Sequence, residues 1–215
     1  PGQRLWLRQR RALRAEPLPG TQRGTNPWFS PDGSKVVFVS EEAPAVLRVA
    51  SATGAPTITL SDSGIGLDGN TWSDDGYIYF DGLTAGGTVG LRRIPEAGGA
   101  TETITTVDTA RREVDHVWPA ALPGGRGVLF IIQSRDADAG TALAAFDGRS
   151  RRYHVLVKAA AGRYLAPGYL LYVTGEGQLV SVPFDLDRLA ITGEARVVAD
   201  GVGLRAFGAA DIAVS

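Results

Sequence analysis

His116 stands three residues after Glu113 and directly after Asp115. A carboxylate beside an imidazole can take a proton from a substrate and return it. The same pairing also works as a plain hydrogen bond that fixes a loop against nearby Trp118, and this structural reading is preferred. Glu113 and His116 are therefore ligand-binding candidates, and no catalytic residue is assigned. The second histidine, His154, lies between Tyr153 and Val155 in an expected strand and reads as a structural or exposed position. Two histidines cannot build a histidine-rich metal site. Asp136, Asp138 and Gly140 echo part of a calcium loop but lack its third acidic ligand and distal glutamate, so a polar hairpin explains them better. Asp32 and Asp75 occupy equivalent turns of different repeats and read as turn formers, not as a carboxylate pair for glycoside cleavage. No metal and no cofactor is expected.

The chain of 215 residues has no cysteine, which removes disulfides, thiolate metal sites and cysteine nucleophiles together and leaves the compartment open. No serine sits in a G-x-S-x-G elbow, and neither a glycine-rich phosphate loop nor a kinase catalytic loop is present. The expectation is that the segment is not an enzyme, any activity residing in a domain outside it. A net charge of -1 disfavours nucleic acid as a partner. Arg4, Arg8, Arg10, Arg11 and Arg14, opposed only by Glu16, read as a solvated strand and turn. No run approaches the ~20 apolar residues that span a bilayer, so a membrane is reached only through a segment outside this chain. The absence of methionine, even at position 1, is read as a start inside a longer gene product.

The elements that must position these residues announce themselves by repetition. The 28 glycines and 12 prolines point to many short elements joined by turns. Trp28, the Pro31-Asp32-Gly33 corner and Val36-Val37-Phe38 are echoed by Trp72, Asp74-Asp75-Gly76 and Ile78-Tyr79-Phe80. A third copy has Trp118, Pro123-Gly124-Gly125 and Val128-Leu129-Phe130, and a fourth has Tyr164, Pro167-Gly168 and Leu170-Leu171-Tyr172. The intervals between the closing aromatics are 42, 50 and 42 residues. Each copy continues with a strand opening on a leucine, at Leu47, Leu91, Leu143 and Leu179, then a turn and a last strand.

In Ser30-Pro31-Asp32-Gly33 the proline presets φ, the aspartate holds nearby N–H groups and the glycine takes the left-handed position that closes a hairpin. Runs such as Val36-Val37-Phe38-Val39 do not alternate, so both faces of the strand are buried, as in sheets stacked like slices. The aromatic before each corner is expected to fill the space between slices. Four-stranded units of about 45 residues with such inner strands indicate an all-β chain, a β-propeller of four-stranded antiparallel blades. Four whole blades (26–60, 69–106, 115–157, 163–199) and two partial ones (1–20, 205–215) are expected to form one domain, part of a six- to eight-bladed ring.

Through Trp28-Phe29-Ser30-Pro31-Asp32-Gly33 the chain resembles the TolB-like, WD-repeat-like propeller repeats. More narrowly, it looks like the propeller that follows the kinase domain and membrane helix in some bacterial serine/threonine kinases. That closer likeness rests on Leu5-Trp6-Leu7-Arg8, Pro17-Leu18-Pro19-Gly20-Thr21, Glu113 with His116 and Trp118-Pro119, Pro167-Gly168-Tyr169-Leu170-Leu171, and Pro183-Phe184-Asp185 with Leu189 and Thr192-Gly193-Glu194. The resemblance implies a recognition or sensor domain in a periplasmic or other extracytoplasmic position, monomeric, with a protein or small-molecule ligand. The alternative is a propeller that gates or orients a hydrolase of the same gene, as in oligopeptidases. A lyase or glycosidase using the channel is the weaker third reading, since it needs converging carboxylates.

Overall fold

A computed structural model of the protein describes residues 3–54, 56–84, 86–136, 140–204, 210 and 212. Nineteen strands account for the ordered architecture of these residues. β1 (Arg4–Leu7) and β2 (Glu16–Gln22) form a two-stranded antiparallel sheet, matching the partial unit expected at the start. The first whole blade is β3 (Gly24–Phe29), β4 (Lys35–Ser40), β5 (Val46–Ser51) and β6 (Ile58–Ser61), hydrogen-bonded in chain order. The second is β7 (Ile65–Trp72), β8 (Tyr77–Thr84), β9 (Gly87–Pro95) and β10 (Glu102–Thr103). The third comprises β11 (Glu113–Ala121), β12 (Gly127–Ser134), β13 (Ala142–Asp147) and β14 (Arg152–Lys158). The fourth comprises β15 (Ala161–Leu165), β16 (Tyr169–Val173) and β17 (Leu179–Asp185), whose free edge takes both β18 (Ala190–Ile191) and β19 (Arg196–Ala199). The chain is thus all-β, a run of propeller blades. Most of the closing strand expected over 205–215 lies outside the described residues, as does Asp138.

The apolar runs explain why the sheets stack. Side chains alternate between the faces of a strand, and in β4 both faces have a partner. Val36 and Phe38 pack with Leu18 toward the partial unit, while Val37 and Val39 pack with Ile78 and Phe80 of the second blade. The pattern repeats at the next joints: Val128 and Phe130 meet Tyr79 and Leu91, and Leu129 and Ile131 meet Leu170 and Val182. Phe38, Phe80 and Phe130 are all fully buried, each contributing roughly 1.5–3 kcal/mol.

The corners close as their residues dictate. Gly33 has φ +71, and the Asp32 carboxylate accepts hydrogen bonds from Ser30 Oγ at 2.6 Å and Ser34 N at 3.0 Å. These donors, Ser30 first, hold the Asp32 carboxyl down at about 2. Asp75 does the same in the second corner, accepting from Tyr77 N at 3.1 Å and Tyr79 OH at 2.6 Å. Asp74, which replaces the proline of the first corner, reaches across to the third. It accepts from Gly124 N at 2.9 Å and Gly125 N at 3.1 Å, supplying the carboxylate that the third corner lacks.

The register corrects one expectation. Val36, Ile78, Val128 and Leu170 are equivalent, and they pair with Phe29, Trp72, Ala121 and Tyr164. Trp28 instead pairs with Val37, and Trp118 falls in the irregularity between Val117 and Ala120 with φ +53. The three tryptophans therefore do not fill one repeated slot. A slip of one residue moves a side chain to the other face of its strand. Trp28 and Trp72, from adjacent sheets, consequently pack on the same cluster around Val37 and Ile78.

Candidate binding sites along the inner strands

The first strands of the blades, β3, β7, β11 and β15, stand side by side and carry the polar residues that the apolar slices leave free. Asp68 of β7 lies by Asp115 of β11, Gly69 abuts Trp118, and Thr71 Oγ1 accepts from Ala121 N at 3.3 Å, so β7 and β11 run in the same direction. The starts of these strands gather at one end and their last residues at the other. Two sites result.

The expected pair, Glu113 and His116, is brought together near the starts. His116 Nε2 lies 2.9 Å from Glu113 Oε2, and Nδ1 lies 2.8 Å from Thr105 Oγ1 of the preceding blade. Glu113 Oε2 also accepts from Asp108 N and Tyr153 OH, both at 2.8 Å, and Thr105 Oγ1 accepts from Leu91 N at 2.8 Å. The imidazole rests against Phe130 and Tyr153, with centroids 4.8 and 5.1 Å away. Burial lowers the His116 pKa despite the opposing pull of Glu113, so a neutral ring donates from Nε2 and accepts at Nδ1. His116 is 0% exposed and Glu113 6%. Both are joined into a hydrogen-bonded knot between the second and third blades, and what lies between them in sequence, Asp115, belongs to a different group. His154 sits exposed on β14 with Nε2 2.9 Å from Leu189 O, as its strand position implied.

That other group is Asp68, Asp81 and Asp115. One carboxylate oxygen from each lies within 4.8 Å of the others. At this spacing each ionised pair repels by about 3 kcal/mol at an effective dielectric of ~20. Asp81 is 3% exposed at the end of the apolar run of β8. Its Oδ2 accepts from Asp68 N at 3.2 Å, while its Oδ1 is buried without a partner. Asp115 accepts from His116 N at 2.8 Å. Burial, then the neighbouring carboxylates, push Asp81 up to about 7, and burial first and Asp68 push Asp115 up to about 6. Among the described residues no ion pair reaches Asp68, Asp81 or Asp115. Room for Asp81 comes from Gly66, where a Cβ would stand 1.8 Å from Asp81 Oδ2. Three hard oxygen donors without a counter-charge form a set that could hold a divalent cation.

At the far end, Pro27, Trp28, Phe29, Ala120, Ala121, Arg163 and Tyr164 line a cavity of about 400 Å³. The Arg163 guanidinium lies over the Trp28 ring at 5.4 Å and donates to Gly162 O at 2.8 Å. Among the described residues no carboxylate pairs with it. Desolvation lowers its pKa to about 10, which still leaves it charged at neutral pH. Phe29 is half exposed. An aromatic rim with one unpaired cation suits a ligand with an apolar body and a carboxylate.

Sequence reasoning missed both sites. The signals were present: Asp81 closes an otherwise apolar buried run, and Asp68 and Asp115 interrupt strands destined for the interior. Their convergence depends on stacking two blades, which no single stretch displays. Arg163 was hidden because its position is occupied by Trp28, Thr71 and Ala120 in the other blades.

No protein-family model matches the chain, and no curated protein matches it in sequence. Solved structures do match in fold. TolB from Acinetobacter baumannii superimposes with a TM-score of 0.68 at 15% identity over 90% of this chain. The chain spans 50% of that protein's length. An oligogalacturonate lyase in complex with manganese matches at 0.58 and 11% identity, over 82% of this chain and 53% of its own. Puromycin hydrolase matches at 0.58 and 18% identity, over 85% of this chain and 30% of its own. The expectation that a chain of this kind is not an enzyme is thereby overturned, because enzymes share the fold over most of its length. It rested on contiguous nucleophile and histidine motifs, whereas stacked blades assemble groups from separate strands. The likeness at these identities is one of fold, and in fold the chain is similar to TolB-like propellers.

Proposed function

We propose that the chain is a recognition domain that binds a carboxylate-bearing protein segment at the Trp28–Arg163 mouth. It would serve as the extracytoplasmic part of a bacterial signalling protein, such as a serine/threonine kinase. The observation that carries this reading is Arg163: a charged guanidinium set in a cavity and stacked on an aromatic ring, with no carboxylate beside it among the described residues. Keeping a desolvated cation unpaired costs stability, and a ligand carboxylate recovers that cost through a bidentate pair. The four-bladed frame holds the mouth rigid, so little ordering is lost on binding. Glu113 and His116 act in this reading as positioning residues that fix β11, the strand carrying Ala120 and Ala121.

Short peptides with a single Asp or Glu, and their Asn or Gln counterparts, provide the test, read by titration calorimetry and tryptophan fluorescence. Acidic peptides should bind, and Arg163→Gln should weaken them at least tenfold while leaving the far-ultraviolet circular dichroism unchanged. Equal binding of neutral peptides, or unchanged binding by the variant, overturns the reading. The extracytoplasmic and kinase context is tested by the encoding reading frame, where a kinase domain and a membrane helix should precede this segment.

A second reading, a propeller that accompanies a hydrolase domain, is favoured by the likeness to puromycin hydrolase over 30% of that chain. A following α/β-hydrolase region in the reading frame would support it over the first.

A further inference from the structure

We infer that Asp68, Asp81 and Asp115 form a calcium site between the second and third blades. Three strands, β7, β8 and β11, bring one carboxylate each to a common point, with the donor oxygens within 4.8 Å of one another. A cluster of this kind is often no more than an acidic patch, but two further features separate it from one. Asp81 is 3% exposed, and its Oδ1 has neither solvent nor a hydrogen-bond donor. A buried oxygen of that kind is rare unless something absent from the protein chain satisfies it. The backbone is also carved to admit it: at Gly66 any side chain would collide with the Asp81 carboxylate, at 1.8 Å from Oδ2 and 2.7 Å from Oδ1. The fold spends a glycine to place a carboxylate against two others.

The donor set selects the ion. All-oxygen, carboxylate-rich ligation suits hard cations and not zinc or copper. Ligand oxygens on calcium, bound at about 2.3–2.6 Å, stand up to ~5.2 Å apart, whereas octahedral magnesium at about 2.0–2.1 Å allows only ~4.2 Å. Donor oxygens all within 4.8 Å of one another lie inside the calcium span without β7, β8 and β11 closing up, and magnesium, which keeps most of its water, suits a buried three-carboxylate site less well. Half-buried Asp68 leaves a side for water to complete the coordination.

The test uses the whole chain, stripped with chelator and titrated with calcium chloride by calorimetry, with magnesium and manganese chlorides in parallel. One calcium per chain should bind, and saturating calcium should raise the melting temperature. Asp81→Asn should abolish both effects, and Asp115→Asn should weaken binding at least tenfold. Asp68→Asn, at the more exposed ligand, provides a second variant should Asp81→Asn not fold, and it too should weaken binding at least tenfold. Failure to bind at millimolar calcium, uptake unchanged in the variants, or uptake of magnesium in preference to calcium each overturns the assignment. Because Arg163 lies at the other end of the inner strands, Arg163→Gln should leave calcium uptake intact.

Discussion

At the scale of single residues, the structure ties its buried titratable groups to opposite responses to pH. In the folded chain Asp81 and Asp115 keep their protons up to about 7 and about 6, while the unfolded chain releases them near 3.8. The folded state therefore binds more protons in this window. The contribution is complete below pH 3.8 and is lost as pH rises through 6 to 7. His116 works the other way, since its lowered pKa contributes stability that is present above 6.5 and lost below. The difference between wild type and Asp81→Asn isolates the carboxylate. In chelator-containing buffer the variant should gain on the order of 4 kcal/mol relative to wild type between pH 4 and pH 8, measured by urea denaturation. A pH-independent difference would show that Asp81 titrates normally. The second prediction concerns the knot. His116→Ala removes a fully buried ring and takes one hydrogen-bond partner from each of Glu113 and Thr105, so unfolding free energy should fall by about 3 kcal/mol, read from the urea midpoint.

At the scale of elements, turns and strand edges were the most legible part of the sequence, because their chemistry is local. Pro31, Asp32 and Gly33 specify a corner whatever surrounds them, and the doubly apolar runs specify strands covered on both sides. What spacing alone misplaced was the tryptophans, whose assignment to one repeated slot fails through a one-residue register shift at Trp28 and an irregularity at Trp118. Register is set by the pairing partner, which sequence spacing does not contain. Two glycine substitutions separate local strain from packing. Gly33→Ala places a Cβ in open space at φ +71 and should cost about 1 kcal/mol. Gly90→Ala, at φ +91, brings a Cβ to 2.6 Å from Thr105 O and should cost at least ~3 kcal/mol, since strain adds to a backbone collision. Thermal melts of the two variants rank the effects.

At the scale of the molecule, stability is the sum of blade joints, each with its own apolar cluster. The joint to β1 and β2 is the smallest, with Leu18, Val36, Phe38 and Ala50 as its buried members, while Trp6 is 63% exposed. Amides of β1 and β2 should therefore exchange with deuterium well before those of β8 and β12, which uniform protection across the chain would refute. Neither candidate site could be read at this scale from sequence, for a shared reason. Asp68, Asp81 and Asp115 meet across one joint, and Trp28 meets Arg163 across a cavity; both are properties of stacking.

The reach of Asp74 into the third corner gives the stack a direction. That corner has no aspartate of its own and borrows the grip of the blade made before it. During synthesis the clasp already exists when Gly124 and Gly125 leave the ribosome, so the third slice can latch onto a finished second one. A permuted gene that made the third slice first would leave that loop waiting for its fastener.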